Sequence, residues 1–176
     1  MIKHGLICNK DHFNQIISLI ESGKEPTIKH IQASIEIKLK HTTRDYREKG
    51  IRKRLNFGHT IGHAIESDSL QKANPIIHGQ AVIWGMLAES YLSHQYWSMG
   101  LEELEEIESA IQPLLHNIAK IELDPDALLQ LMQLDKKNNA GQVQFVLLNH
   151  IGSAQENIPL NAEQIQDGMR YLARFT

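Results

Sequence analysis

Apolar residues recur at intervals of three and four along most of the chain, which is the spacing of one face of an α-helix. The first such segment runs from about Asp11 to Ser22, with Asp11 as its predicted N-cap and Gly23 as its stop signal. The same spacing predicts four further helices: a long one that starts at Thr27, and others at 101–115, 126–134 and 162–175. The long helix carries an apolar stripe made of Ile28, Ile31, Ile35 and Leu39. Asn161 is predicted to cap the last helix.

One region departs from the helical pattern. Residues 138–141 read Asn-Asn-Ala-Gly, a turn signal, and the short run 143–148 is rich in β-branched and aromatic side chains. This run predicts a strand that pairs with residues 151–158 across a connection containing Gly152. The sequence therefore predicts a mainly α fold, a single helical domain over residues 1–176, with one small β-hairpin.

Composition narrows the class of protein. The chain has 176 residues, of which 41% are hydrophobic, and a net charge of −3, values typical of a folded globular domain. The single cysteine, Cys8, excludes an internal disulfide and a Cys-rich zinc site. Neither a membrane-spanning apolar run nor a signal-peptide pattern is found, so we expect a soluble, cytoplasmic protein and no membrane partner.

Histidine is the unusual residue, with ten in the chain. His59 and His63 are four residues apart, so a helix would direct both imidazoles from one face towards a shared cation. A bare His-x-x-x-His also occurs as two surface polar residues, but Gly58 and Gly62 beside it favour a close approach to the backbone. His78 begins another apolar helix, and the three histidines together predict a metal site. Glu66 lies about two turns beyond His59, too far along the helix to share an ion with it.

A second candidate feature is cationic. Six Lys and Arg residues fall between Arg44 and Arg54 in a chain that is acidic overall. They are either a solvated face paired with Asp45 and Glu48, or a set that holds a phosphate or carboxylate beside the histidines. Residues 135–138, Asp-Lys-Lys-Asn, are a further candidate for binding. Nucleic acid is not expected as a partner, since the positive charge is local and aromatic residues for base stacking are absent there.

Two motifs carry a resemblance to a known family. LNFGHTIGHAIE at residues 55–66, followed by HGQAV at 78–82, resembles the signature of 3-dehydroquinate synthase. The similarity extends to residues 1–5, to Lys38, to residues 48–52 and to residues 135–138 and 143–152. It thus covers nearly the whole chain.

The resemblance implies an activity and a set of site residues. The family converts 3-deoxy-arabino-heptulosonate 7-phosphate to 3-dehydroquinate and phosphate in the shikimate pathway of aromatic amino-acid biosynthesis, using NAD and Zn²⁺ or another divalent metal such as Co²⁺. By position, the metal ligands would be His59 and His78. Contacts to the phosphorylated sugar acid would come from Lys3, Lys38, Arg52, Asn56 and His63, and from Lys136 or Lys137. The resemblance thus assigns His63 to the substrate, whereas spacing alone pairs it with His59 on the metal.

The chain also departs from the family pattern. It has no counterpart of the family's NAD-binding domain, so no residue here is predicted to bind NAD. The family's glutamate metal ligand would fall immediately before Met1, and Gln80 replaces a glutamate beside His78. We therefore predict the C-terminal half of the enzyme, inactive unless the NAD-binding half or another chain completes it. Another sugar-phosphate cyclase, a polyol dehydrogenase of the same superfamily and a non-catalytic helical interaction module are the alternatives, and a homo-oligomer is possible in each case.

Overall fold

The computed structural model describes residues 1–70, 72, 75–116, 118, 121–135 and 142–176. Eight α-helices lie within these ranges: α1 (Ile2–Cys8), α2 (Lys10–Glu21), α3 (Ile28–Arg44), α4 (His59–Ser69), α5 (His78–Tyr96), α6 (Leu101–Leu115), α7 (Pro125–Asp135) and α8 (Ala162–Leu172). A short 3-10 helix, Ile51–Asn56, precedes α4, and two strands, β1 (Val143–His150) and β2 (Ser153–Leu160), pair antiparallel. The mainly α fold with one hairpin is confirmed, and a single domain over the whole chain stays a prediction.

The helix boundaries follow local capping chemistry. Asn161 caps α8 as predicted: its side chain accepts from the Gln164 N–H, and the Gln164 side chain accepts from the Asn161 N–H in return. The predicted N-cap of α2 was wrong. Asn9, not Asp11, accepts the His12 N–H at 3.0 Å, because α1 ends immediately before it and the chain must turn there. Helix α1 itself was not predicted, since seven residues are too few to establish a period.

The hairpin joins the helices through its turn. Gly152 has a φ of +94°, and a Cβ there would lie 2.8 Å from the backbone N of Lys10, so both conformation and space require glycine. Its N–H donates to the carbonyl oxygen of Leu6 at 2.8 Å, which fastens the turn to α1. Strand β1 is buried along most of its length. The hairpin therefore forms part of the hydrophobic core.

Helix α5 lies at the centre of the fold, where it packs against α4, α6, α8 and β1. Eleven of its residues are buried. The seven apolar side chains among them belong to one continuous apolar cluster that includes side chains from both strands. Ser93 joins α5 to the sheet, since its hydroxyl accepts the Leu148 N–H at 2.9 Å. Among the described residues, no helix combines the length and the apolar character needed to cross a bilayer.

Helix α3 packs differently from what its apolar stripe suggests. The face it buries is formed by Ser34, Ile37 and His41. Its predicted stripe is instead exposed to solvent, with exposed fractions of 74% for Ile28, 45% for Ile31, 50% for Ile35 and 53% for Leu39. The periodicity correctly predicts a helix here, but its apolar face is not covered by any described part of this chain.

Candidate metal and substrate site

Helices α4 and α5 approach each other at backbone distance, and glycine makes this possible. A Cβ on Gly85 would lie 2.0 Å from the carbonyl oxygen of Gly58 and 2.8 Å from the N of Gly62. A Cβ on Gly62 would lie 3.0 Å from the carbonyl oxygen of Ala81. Gly58, the N-cap of α4, also has a φ of +78°. The predicted close approach at Gly58 and Gly62 is thus confirmed, and the element that approaches is α5.

This contact brings the three predicted histidines together. The ring centroids of His59 and His63 are 5.2 Å apart, those of His59 and His78 5.3 Å, and those of His63 and His78 5.6 Å. One ring nitrogen of each can be chosen so that all three lie within 4.8 Å of one another. His59 is half-buried, whereas His63 and His78 are exposed. The cluster has the spacing and the donor type for a divalent metal ion.

Hydrogen bonds fix which nitrogen two of these rings present. Nδ1 of His59 lies 3.1 Å from the carbonyl oxygen of Phe57, and Nδ1 of His78 lies 2.9 Å from Oε2 of Glu66. A carbonyl or a carboxylate only accepts, so each neutral ring carries its proton on Nδ1 and a lone pair on Nε2. Glu66 therefore has a role that the sequence did not suggest: it orients His78 from the neighbouring helix.

Lys3 lies beside this cluster, in the pocket that His59 and His78 also line. Its Nζ donates to the carbonyl oxygen of Leu55 at 2.6 Å and lies 3.4 Å from Nε2 of His59. Burial lowers the pKa of Lys3 to about 8, the charge of Glu89 opposes this shift, and the charge of Lys38 adds to it. The Nε2 lone pair of His59 is thus directed towards the ammonium group of Lys3.

The environment of His59 keeps its imidazole neutral. Burial lowers the pKa of His59 to about 4, and the positive charge of Lys3 adds to the effect. A neutral imidazole is the form that binds a metal ion. The pocket it faces measures about 320 Å³ and is lined by Met1, Ile2, Lys3, His59, His78, Gly79, Val82, Ile83 and Met86.

Two further predicted residues, Arg52 and Asn56, are held by one carboxylate. Glu48 lies 3.3 Å from Nε of Arg52 through Oε2 and accepts from Nδ2 of Asn56 at 3.0 Å through Oε1. Glu48 itself has a φ of +52°, an uncommon conformation for a residue with a side chain. Arg52 also donates to the carbonyl oxygen of Tyr46 at 3.0 Å. Both side chains are therefore preset in direction by the loop before α4.

The predicted pairing of the cationic segment is only half correct. Glu48 does pair with Arg52, but Asp45 accepts the backbone N–H groups of Lys49, Gly50 and Arg52 at 3.0, 2.7 and 3.2 Å. These bonds, led by that of Gly50, lower the pKa of Asp45. Asp45 thus acts mainly on the backbone of the loop, with a smaller effect from the charge of Arg52.

The remaining predicted residues have different outcomes. Lys38 is exposed on α3, close enough for its charge to lower the pKa of Lys3 and His4. Gln80 folds back towards the N–H of Ile77 at 3.4 Å, so its side chain caps α5. Lys136 and Lys137 lie outside the described residues. The structure thus groups Lys3 with the three histidines and couples Lys38 to Lys3 through charge.

Sequence reasoning missed Glu89, a buried carboxylate that bonds to the start of α4. It accepts from the N–H groups of Gly58, Thr60 and Ile61 at 2.7, 3.1 and 3.2 Å. One signal was available: Glu89 is the only Asp, Glu, Lys or Arg within α5, a helix that is otherwise apolar or neutral.

Solved structures of two synthases share this fold. The chain aligns over 98% of its length with 2-epi-5-epi-valiolone synthase from Streptomyces hygroscopicus, a structure with NAD⁺ and Zn²⁺ bound, at a TM-score of 0.78 and 21% identity. It aligns over 97% with 2-deoxy-scyllo-inosose synthase complexed with carbaglucose-6-phosphate, NAD⁺ and Co²⁺, at a TM-score of 0.74 and 21% identity. It covers 49% of each of those chains. The fold is therefore that of one half of such synthases.

Sequence comparison then gives the family. Residues 1–138 match the 3-dehydroquinate synthase C-terminal family, and the chain belongs to that family. It is 36% identical over 173 residues to a 3-dehydroquinate synthase of Parabacteroides distasonis and 32% identical over 171 residues to one of Thermodesulfovibrio yellowstonii. The matches take in 97% and 94% of this chain but only 49% and 47% of the relatives. The chain thus spans about half their length.

The glycine contact between α4 and α5 gives a stability prediction. Gly85→Ala places a methyl group against the backbone of α4, which cannot yield as a side chain would, so we expect a loss of about 3 kcal/mol or more of unfolding free energy. Gly79→Ala is the matched control, since Gly79 lies on the same helix with open space around its Cβ position. Urea unfolding of both variants measures the difference. Equal stabilities would contradict the described packing.

The lowered histidine pKa values predict acid sensitivity. His4 and His59 each have a pKa lowered to about 4, mainly by burial, from an ordinary value of 6.5. Between these values the unfolded chain binds protons that the folded chain does not, so the unfolding free energy should fall as pH drops from 6.5 to 4. Histidine titration by NMR should give midpoints near 4 for both rings. A midpoint near 6.5 for His59 would rule out the burial described above.

Proposed function

We propose that this chain is the metal- and substrate-binding half of a 3-dehydroquinate synthase. In the complete enzyme it would help to convert 3-deoxy-arabino-heptulosonate 7-phosphate to 3-dehydroquinate and phosphate. The observation that carries the proposal is the convergence of His59 and His78 on one cleft beside Lys3, each with its Nδ1 hydrogen-bonded and its Nε2 left for a metal ion. The family match and the synthases named above support it.

The donor set suits the divalent metal found in the related structures. His59 and His78 would bind Zn²⁺ or Co²⁺ through Nε2, since their Nδ1 atoms are already engaged. When bound, such an ion would supply a positive charge that stabilises a developing negative charge on a substrate oxygen. His63 is exposed beside them, and we assign it to the substrate, with a third metal ligand as the alternative.

The cationic residues suit a ligand with a phosphate and a carboxylate. Lys3 lines the cleft, and a pKa of about 8 leaves it mostly protonated at neutral pH. Lys38 lies near enough for its charge to act on Lys3. Arg52 and Asn56 present donors whose direction Glu48 fixes, which reduces the conformational entropy lost on binding. Lys136 or Lys137 completes the proposed set. We assign all of these residues to anion and hydroxyl recognition.

NAD⁺ would be held by a second half that is not described here. The only strands among the described residues form an antiparallel hairpin, and NAD⁺ sites of the usual type need a parallel strand, a glycine-rich turn and a helix. We propose that this half covers the exposed stripe of α3, because Lys38 lies on the same helix and is electrostatically coupled to Lys3. A partner that contacts Lys38 would lie near Lys3 and the cleft, where hydride transfer would need the NAD⁺. The cytoplasmic location stays a prediction.

A zinc titration tests the ligand assignment. We expect calorimetry to show one Zn²⁺ per chain, with His59→Ala and His78→Ala each weakening affinity by more than about 100-fold, beyond the usual loss for an outer partner. His63→Ala should change affinity by less than about tenfold if it contacts substrate. His116→Ala, at the exposed end of α6, is the control. An equal loss in His63→Ala would make it a ligand, and a parent chain that binds no zinc would contradict the metal site.

A chimera tests the need for a second half. This chain would replace the matching half of the Parabacteroides distasonis relative, and we expect the chimera, but not the isolated chain, to form 3-dehydroquinate with NAD⁺ present. Ile35→Ser should lower this activity and the Tm of the chimera by uncovering the α3 interface. Lys40→Ser, also exposed on α3, is its matched control.

Three results would count against these assignments. Activity of the isolated chain would contradict the need for a partner half. A chimera that binds NAD⁺ and zinc yet makes no product would contradict the substrate. A dimer of the isolated chain that Ile35→Ser dissociates would make the α3 stripe a self-interface.

A further inference from the structure

Glu89 connects the two metal-site helices through a fully buried carboxylate. Its side chain, on α5, has an exposed fraction of 0%. Oε2 accepts the Gly58 N–H at 2.7 Å, and Oε1 accepts the N–H groups of Thr60 and Ile61 at 3.1 and 3.2 Å. These groups are among those that an α-helix leaves without a partner at its N-terminus. The N-cap residue, Gly58, has no side chain to serve them, so Glu89 does so from the neighbouring helix.

The shortest of these bonds acts on one particular peptide group. The Gly58 N–H and the Phe57 carbonyl belong to the same peptide plane. Glu89 holds the N–H end of that plane, and the carbonyl end accepts the Nδ1–H of His59 at 3.1 Å. Rotation of the plane would break both bonds together. The direction of the His59 ring is therefore coupled to the carboxylate of Glu89 through one rigid group.

We propose that Glu89 is a positioning residue for the metal site, which sets the tautomer and the orientation of His59 through the Phe57–Gly58 peptide. The inference rests on the proposed function in that it takes His59 as a metal ligand. His78 has the same arrangement in direct form, with Glu66 on its Nδ1. Metal-binding histidines usually donate their second N–H to a carboxylate or a backbone carbonyl. Both proposed ligands follow this pattern, His78 with Glu66 and His59 with the Phe57 carbonyl that Glu89 holds in place.

The cost of burying the carboxylate supports a specific role. A buried charge is tolerated only when it is fully hydrogen-bonded, and Glu89 achieves this with three backbone donors at the positive end of the α4 dipole. A helix usually satisfies such donors with a Ser or Thr at the N-cap, which brings no charge. Here the N-cap is Gly58, whose φ of +78° and contact with Met86 leave no place for a side chain. An N-cap Ser or Thr would also not provide a link from α5, which carries His78, to the peptide that orients His59.

The test is the tautomer of His59 in the metal-free chain, read by ¹⁵N NMR of the imidazole nitrogens. The parent should carry the proton on Nδ1. Glu89→Gln keeps the side-chain volume but replaces one acceptor oxygen with an N–H₂ donor, which opposes a backbone N–H. We expect the variant to populate the Nε2–H tautomer of His59 and to bind Zn²⁺ about 10- to 100-fold more weakly. His78 should keep its tautomer, which makes it an internal reference.

Ser90→Ala is the matched control, since Ser90 is equally buried, adjacent on α5 and without a hydrogen-bond partner for its hydroxyl among the described residues. It should leave both tautomers and the zinc affinity unchanged. A folded Glu89→Gln chain with an unchanged His59 tautomer and unchanged affinity would overturn the inference. An Nε2–H tautomer of His59 in the parent chain would also overturn it. This second measurement needs only the parent chain, so it remains valid even if Glu89→Gln does not fold. If the tautomer moves but the parent binds no zinc, the positioning role holds and the proposed metal site fails.

Discussion

The backbone contact between α4 and α5 is the constraint on which the site depends. Helices usually pack with axes 8–10 Å apart because side chains separate them. Here Gly85 lies directly against the Gly58 carbonyl, so the two backbones touch. That proximity lets histidines at the first turns of different helices share one cleft, and it lets a carboxylate from α5 reach the N-terminus of α4. Packing against α5 requires the glycines at positions 58 and 62, and the site is the consequence of that packing.

In the cleft, the fold itself sets the charge state of Lys3 and His59. Lys3 holds a positive charge 3.4 Å from Nε2 of His59, and burial keeps that imidazole neutral. The negative charge of Glu89 raises the pKa of Lys3 and so partly offsets the free-energy cost of burying the Lys3 ammonium group. A metal ion that displaces Lys3 from His59 would meet an unprotonated Nε2. The displaced ammonium would then be available to an anionic substrate.

How far the sequence predicts this structure depends on the range of the interaction involved. Periodicity and caps are local, so the long helices, the Asn161 cap and the hairpin turn at Gly152 were predicted correctly. The exposure of Ile35 and its neighbours was not, because a stripe shows that a helix has an apolar face but not what covers it. Glu89 was missed for a similar reason: its partners lie 28 to 31 residues away along the chain, on another helix. Motif spacing alone also could not decide whether His63 binds metal or substrate.

The most direct test of this account is anomalous diffraction from crystals of the chain soaked in zinc. The packing of α4 against α5 predicts one strong peak, bonded to Nε2 of His59 and Nε2 of His78 at about 2.0–2.1 Å, with Nζ of Lys3 moved away from His59. A peak bound through Nδ1 of either ring would contradict the account, because Phe57 and Glu66 would then have lost their hydrogen bonds. A zinc ion bound by other residues, with none of the three histidines as a ligand, would also contradict the proposed metal site.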